Sequence, residues 1–328
     1  MKKPSRHPRQ SRRVWLTQTG ALAAGCIVSR EIMASPSHDS RAMLDLAEEP
    51  SEWIDAHVHV WPSFGTEYPL ADGFSENDVR PLSFTPIELF AHCAPANVTR
   101  IVLIQMNFFG FDNRYMLDCI ARHPGVFAGV AVVDHNDADV ALEMRELRTQ
   151  GVRGYRLYAN ASNAAQWKRS SGIHRMFECG AETGQAMCML SDPEALPAID
   201  ALMEQHPDTP VVIDHFSRIG MNGDVNTRAL ETLCRMAERK NLYVKTSAFY
   251  ALGEKKPPYD DLAPMIQKLR NAFGAERLMW ASDCPYQVQA PHHYAASIAL
   301  IRDRLDFLSE SERTELLRGT AERVFFSP

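Results

Sequence analysis

Two histidines, His57 and His59, sit two apart at the end of the apolar run WIDAHVHVW, Trp53 to Trp61. Side chains alternate along a strand, so both imidazoles face one side, about 7 Å apart. Placed so, they can share a divalent metal or jointly polarise a substrate oxygen. Taken alone, the pair reads equally well as two core histidines bonded to backbone. It is not alone. The run VVIDHFSR sets His215, after Asp214, just past a second apolar stretch. RLMWASDCPY sets Asp283 just past a third, inside a Ser-Asp-Cys-Pro turn. A carboxylate there can take a proton from water, whereas a structural Asp283 would only cap the next helix. Arg156, Lys245 and Arg218 also fall near strand ends and could pair with a substrate carboxylate, or form ion pairs within the fold. Tyr158, Tyr250 and Tyr286 follow strands and are candidates to line a pocket.

Those side chains meet only if their strands share one end. The strand candidates are 53–60, 99–105, 126–133, 152–158, 184–190, 210–214, 242–247 and 277–282. Helical stretches lie between them. Residues 137–151 close on Gly151 as the residue past the helix, and 192–207 offer Asp192 as cap, Pro193 in the first turn and Pro207 as stop. Eight apolar strands alternating with helices predict an α/β fold, a distorted (β/α)8 barrel in one domain. An open doubly wound sheet is the rival, but no GxGxxG follows the first strand. In a barrel the long segment 61–86 would cover the C-terminal mouth as a lid. His135 is read as a loop residue, and Met187 and Met189 as core.

The chain divides into 1–34, a linker 35–51 and the barrel 52–328. Ser11, Arg12, Arg13, Trp15 and Leu16, ahead of the apolar run Leu16 to Val28, resemble a twin-arginine export signal, with Thr17 where lysine is usual. This implies passage through the twin-arginine machinery to the periplasm and cleavage after Ala34; lipid attachment at Cys26 is the minor alternative. The apolar run is too short to span a bilayer stably. Seven basic residues and one acid lie in the first 34, so their removal takes the net charge from −6 to −12. So acidic a remainder is a poor partner for nucleic acid or anionic membrane. Cys93, Cys119, Cys179, Cys188, Cys234 and Cys284 contain no CxxC pair, which excludes a zinc knuckle.

The ordered set DAHVH, HPGVFAGVAVVD, GVRGYRLY, PVVIDHFSR, YVKTSAFY, ASDCPY and GTAERVFF resembles the amidohydrolase superfamily, from Trp53 to Phe326. Within it the chain is similar to the amidohydrolase-related branch of lactonases and decarboxylases. The resemblance implies a (β/α)8 barrel with His57, His59, His215 and Asp283 as the functional set. It also implies either no cofactor or one divalent ion, zinc or manganese, held by those four residues. Metal-dependent decarboxylases of the branch carry a histidine at the end of strand five; Gln185 through Ser191 has none. Leu190 to Pro193 with Leu196 resembles instead the sugar-lactonase and pyrone-dicarboxylate-lactonase group, whose members can work without tightly bound metal.

The reading is therefore a hydrolase that opens a lactone or related cyclic ester, carboxylated or sugar-derived. Asp283 is the base, its pKa raised by the dry mouth, and His57, His59 and His215, or a metal they hold, polarise the carbonyl. The rivals are a metal-dependent decarboxylase or amide hydrolase of the same superfamily, and a solute-binding barrel without catalysis. Oligomeric state is left open. Protein recovered from the exported fraction is expected to begin at Ser35 on N-terminal sequencing; a start at Met1, or a lipid on Cys26, would reject cleavage after Ala34.

Overall fold

The strands expected from sequence all form, with ends displaced by two residues or fewer. They are β1 (Trp53–Val58), β2 (Val98–Ile104), β3 (Phe127–Ala131), β4 (Val152–Ala159), β5 (Ala186–Ser191), β6 (Val211–Ile213), β7 (Leu242–Ser247) and β8 (Leu278–Ala281). The computed structural model describes residues 52–63, 65 and 67–327. The export-like segment, Cys26 and the linker lie outside the described residues. Neighbouring strands pair in parallel in chain order, β1 to β8. Around them run α1 (Pro86–Cys93), α2 (Arg114–Arg122), α3 (Val140–Thr149), α4 (Ala161–Trp167), α5 (Ser171–Thr183) and α6 (Leu196–Gln205). α7 (Thr227–Arg235), α8 (Ala263–Phe273), α9 (Tyr294–Ala299), α10 (Glu310–Thr314) and α11 (Thr320–Phe325) complete the set. Among the described residues no helix is long and apolar enough to cross a membrane, and all six described cysteines are free thiols.

The strands are apolar on both faces because both are covered. One face supplies Leu103, Met187, Ile213 and Trp280 to the layer beneath the helices. The other supplies Ile54, Ala56, Val102, Val130, Cys188, Val212 and Met279 to a small inner core, plugged at one end by Ala321 and Phe325 of α11. The sheet then closes on itself. Asp283 N–H donates to the His57 carbonyl at 2.9 Å, and His59 N–H to the Cys284 carbonyl at 2.8 Å. This is a single-domain (β/α)8 barrel.

Strict alternation fails in β1. Ile54 and Ala56 pack in the inner core, yet Val58 packs in the outer layer. The pairing of β1 with β2 shifts register between Asp55 and Val58. That irregularity changes the phase of the strand, so His57 and His59 face the barrel mouth while Asp55 turns the other way. Asp55 Oδ1 accepts from Ser282 N–H at 2.9 Å and His57 N–H at 3.2 Å, and Oδ2 from Tyr294 O–H at 2.8 Å. The carboxylate thus bolts β1 to the turn after β8.

Gly151 takes φ +94° just past α3, the conformation that a residue with a Cβ resists. Two local expectations need correction. Asp192 makes no capping hydrogen bond; its carboxylate takes Arg218 at 2.7 Å instead. And none of the described residues of 61–86 lines the cavity at the strand ends. The buried side chains of Trp61, Tyr68, Val79 and Phe84 hold that segment in the outer core. Trp61 also pairs with Phe84 and donates its indole N–H to the Pro81 carbonyl. The Trp61 ring rests against Tyr286, 6.4 Å between ring centres, so the segment borders the mouth without lining the cavity.

Burial lifts the Asp55 carboxyl to about 6, against the hydrogen bonds that favour its charge. Asp55→Ala leaves buried N–H and O–H donors without an acceptor and is expected to cost about 2–4 kcal/mol in urea denaturation. Asp55→Asn keeps one acceptor without the buried charge and should lose clearly less. Equal midpoints for wild type and Asp55→Ala would show that the bolt carries no stability.

Candidate active site

Five strands converge at the mouth. β1 delivers His57 and leads to His59; β4 delivers Arg156; β6 leads into Asp214 and His215; β7 delivers Lys245 and Ser247; β8 leads into Asp283. Asp283 Oδ1 lies 3.2 Å from His59 Nε2 and 3.6 Å from His57 Nε2. Its Oδ2 accepts from Tyr250 O–H at 2.7 Å and stands 3.7 Å from His215 Nε2. The structure therefore brings together the two strand-one histidines, the strand-six histidine and the strand-eight aspartate.

The turns that present His215 and Asp283 are unusual. His215, Phe216, Ser217 and Arg218 all have φ between 51° and 59°. A left-handed stretch costs L-residues roughly 1–2 kcal/mol each. Bonds hold the turn: His215 Nδ1 meets Ser247 Oγ at 2.8 Å, and Ser217 Oγ meets Ser191 Oγ at 2.7 Å. Asp283 has φ 66°. Such strain survives only where the surroundings over-determine it, and it collects at functional sites.

Tautomers follow from the partners. His59 Nδ1 faces the Ile104 carbonyl at 2.8 Å, so Nδ1 carries a proton and Nε2 is the nitrogen turned to Asp283. His57 Nε2 lies 3.3 Å from His59 Nε2 and 3.2 Å from Arg156 Nη2, which can donate to it. The other His57 nitrogen faces Asp214 Oδ1 at 3.4 Å. Beneath His57, Asp214 is fully buried with Arg156 at 2.9 Å and Lys245 at 3.0 Å. Burial would raise the Asp214 carboxyl, but Lys245, His57 and Arg156 hold it well below the usual range. Burial, helped by Lys245 and His215, pushes His57 well below the usual imidazole value against the pull of Asp214, so it is neutral.

The acid at strand eight also departs from expectation. Burial alone would raise it, but His215, the His59 hydrogen bond and His57 outweigh that and the Asp283 carboxyl ends below its ordinary value. It is an ionised acceptor rather than an acid with a raised pKa. Sequence reasoning weighed dryness without the imidazoles that replace water.

His57 Nε2, His59 Nε2 and Asp283 Oδ1 make a triangle with edges of 3.2, 3.3 and 3.6 Å. Tetrahedral zinc with bonds of about 2.0–2.1 Å needs donor separations of about 3.3 Å. These three buried residues fit one divalent ion. Two features bear on the fit: Arg156 competes for the His57 lone pair, and His215 stands outside the triangle.

The cavity over this set measures about 300 Å³. It is lined by His59, Arg156, Tyr158, His215, Arg218, Tyr250, Asp283 and Tyr286, with Met106, Leu190 and Met221 as apolar wall. Tyr158 stacks near Arg156, 5.7 Å from ring centre to guanidinium. Lys245 does not line it: the ammonium is wholly buried, under Asp214 and 5.3 Å from the Phe325 ring centre. Arg218 reaches the rim, tied to Asp192. Sequence reading missed the hub, Asp214. Its signal was position: an acid closing the apolar run VVI directly before His215.

A family model described as amidohydrolase matches residues 54–326. The chain is 26% identical over 247 residues to the 4-sulfomuconolactone hydrolase of Rhizobium radiobacter, covering 75% of this chain and 79% of that protein. It is 26% identical over 275 residues to the L-fucono-1,5-lactonase of Burkholderia ambifaria, covering 82% and 93%. Among solved structures, an amidohydrolase from Burkholderia multivorans with bound zinc superposes with TM-score 0.70 at 20% identity, covering 85% of this chain and 100% of that one.

Burial lowers His215 to about 4 against the pull of Asp283 and Asp214. Below an ordinary value near 6.5 the unfolded chain binds a proton that the folded chain refuses. His215 thus contributes stability that is present above pH 6.5 and is lost as pH falls through 4. Denaturation midpoints between those limits should fall with pH, and His215→Asn should flatten that slope; an unchanged slope would reject a neutral His215.

Proposed function

The chain belongs to the amidohydrolase family, and from that premise we propose that this hydrolase opens a lactone or related cyclic ester. The observation that carries the reading is Asp283 itself. One of its oxygens is buried without a well-directed hydrogen bond and faces the Nε2 atoms of two imidazoles at the floor of a cavity sized for one ring. The 4-sulfomuconolactone hydrolase and the L-fucono-1,5-lactonase, each matched over most of its length, support the same class.

In this reading a water beside Asp283 attacks the ester carbonyl carbon. The new C–O bond forms as the proton passes to the carboxylate. The carbonyl oxygen gains negative charge, and Arg156, which lines the cavity, supplies the nearest buried cation. When the tetrahedral intermediate collapses, the ring C–O bond breaks and protonated Asp283 returns its proton to the departing oxygen. The product is an open-chain hydroxy acid, which releases a proton at neutral pH. His59, pinned through Ile104, and His57, pinned through Asp214 and Arg156, keep their Nε2 atoms fixed beside Asp283. A divalent ion held by His57, His59 and Asp283 would supply Lewis-acid polarisation and a more acidic water. The absence of histidine from Gln185 to Ser191 disfavours the decarboxylase alternative. The twin-arginine-like N-terminus supports a substrate met outside the cytoplasm, including sugar-derived lactones.

A lactone panel followed by proton release, with chelator or with added zinc or manganese, tests this. Asp283→Asn is expected to lower kcat on any responding lactone by about 10²–10⁴-fold. Rates equal to wild type would remove Asp283 as the base. Silence across the panel in every metal state would end the lactone reading.

A further inference from the structure

Next to the catalytic cavity lies a larger chamber of about 1010 Å³. Its walls come from the residues after β3, from the end of β4, and from α4 with the loop beyond it. The two spaces share Arg156 and Tyr158, so the chamber opens off the reaction centre rather than elsewhere on the barrel.

Three features point to a ligand there. Arg156 Nε is buried with no hydrogen-bond partner, although the same guanidinium binds His57 and Asp214 through Nη2. A buried N–H without an acceptor is costly, so this guanidinium keeps an unused donor at the wall the two spaces share. Second, large apolar faces line the space in contact with water: Phe111 is 57% exposed and Tyr158 37%. Third, the charge is one-sided. Lys168 and Arg169 stand on the wall, exposed, and neither joins an ion pair among the described residues. The wall's one carboxylate, Asp134, already accepts from the backbone and side chain of Asn136 at 2.9 and 3.1 Å.

A cavity of about 300 Å³ accommodates a single ring. The adjoining volume is room for something attached to it. We propose that the larger chamber is a second binding site, which takes an extended arm on the lactone: a flat apolar body ending in an anionic group. The arm passes over Arg156 and Tyr158, lays its apolar body on Phe111 and Tyr158, and brings its anion to Lys168 and Arg169. This deepens the lactone reading and rests on it.

The test compares three substrates: δ-valerolactone, the same ring bearing a phenylalkyl carboxylate arm, and that arm as its neutral amide. The carboxylate arm is expected to raise kcat/KM by about tenfold over the bare ring, chiefly through KM. The Lys168→Ala/Arg169→Ala variant should lose most of the gain on the carboxylate, little on the amide, and nothing on the bare lactone. Calorimetric titration with phenylbutyrate alone reads the chamber without turnover, and should show saltable binding to wild type that the variant loses. Turnover of the bare ring with no gain from the arm and no phenylbutyrate binding would overturn the second site while leaving the lactone reading intact. A gain that the variant does not diminish would overturn the anionic end. If no lactone turns over, yet phenylbutyrate binds wild type and not the variant, the reaction is misassigned and the chamber stands.

Discussion

The closure of the barrel between its first and last strands is the constraint on which the rest depends. Two backbone hydrogen bonds make it, from Asp283 to His57 and from His59 to Cys284. The residues so joined are the ones whose side chains meet above. Asp55 reinforces the seam by binding Ser282, 227 residues away along the chain. Fold and site therefore share one set of bonds. A barrel that failed to close here would separate Asp283 from both imidazoles, whatever the remaining strands did.

Two buried carboxylates share this mouth, and their partners divide their roles. Asp214 is gripped by Arg156, Lys245 and His57. An acid flanked by two cations is fixed in charge and position, and it orients the groups above it. Asp283 touches only imidazoles and the Tyr250 hydroxyl, so one oxygen is left for chemistry. Both carboxyls lie below the ordinary range through their neighbours: Asp214 through Lys245, His57 and Arg156, Asp283 through His215, His59 and His57. Lys245 belongs to the first set and also stands over the Phe325 plug, linking the floor of the site to the inner core.

Strain is concentrated in the same place. Four successive left-handed residues from His215, and the left-handed Asp283, are tolerated because serine bonds and strand closure leave the chain no easier path. The loops beyond the strands are freer, and there the chain shapes a second chamber from β3, β4 and α4. This division is general in barrels: strand ends carry the reacting groups and the loops after them set the ligand.

Much of this was written in the chain. Runs such as VVI and LMWA had to be buried on both faces, which called for parallel strands covered by helices. The positions of His57, His59, His215 and Asp283 at the ends of such runs followed from counting. Other features depended on contacts between distant segments. A register shift in β1 chose which face Asp55 took. Packing of Trp61 and Phe84 set the described residues of 61–86 beside the cavity rather than in its wall. Lys245 was buried beneath Asp214 rather than offered to a ligand. The imidazoles gathered round Asp283 lowered its pKa where dryness alone would have raised it. Local sequence encodes periodicity and residue chemistry; the sign of an electrostatic balance, and the face a side chain takes, are set by neighbours that only the closed barrel supplies.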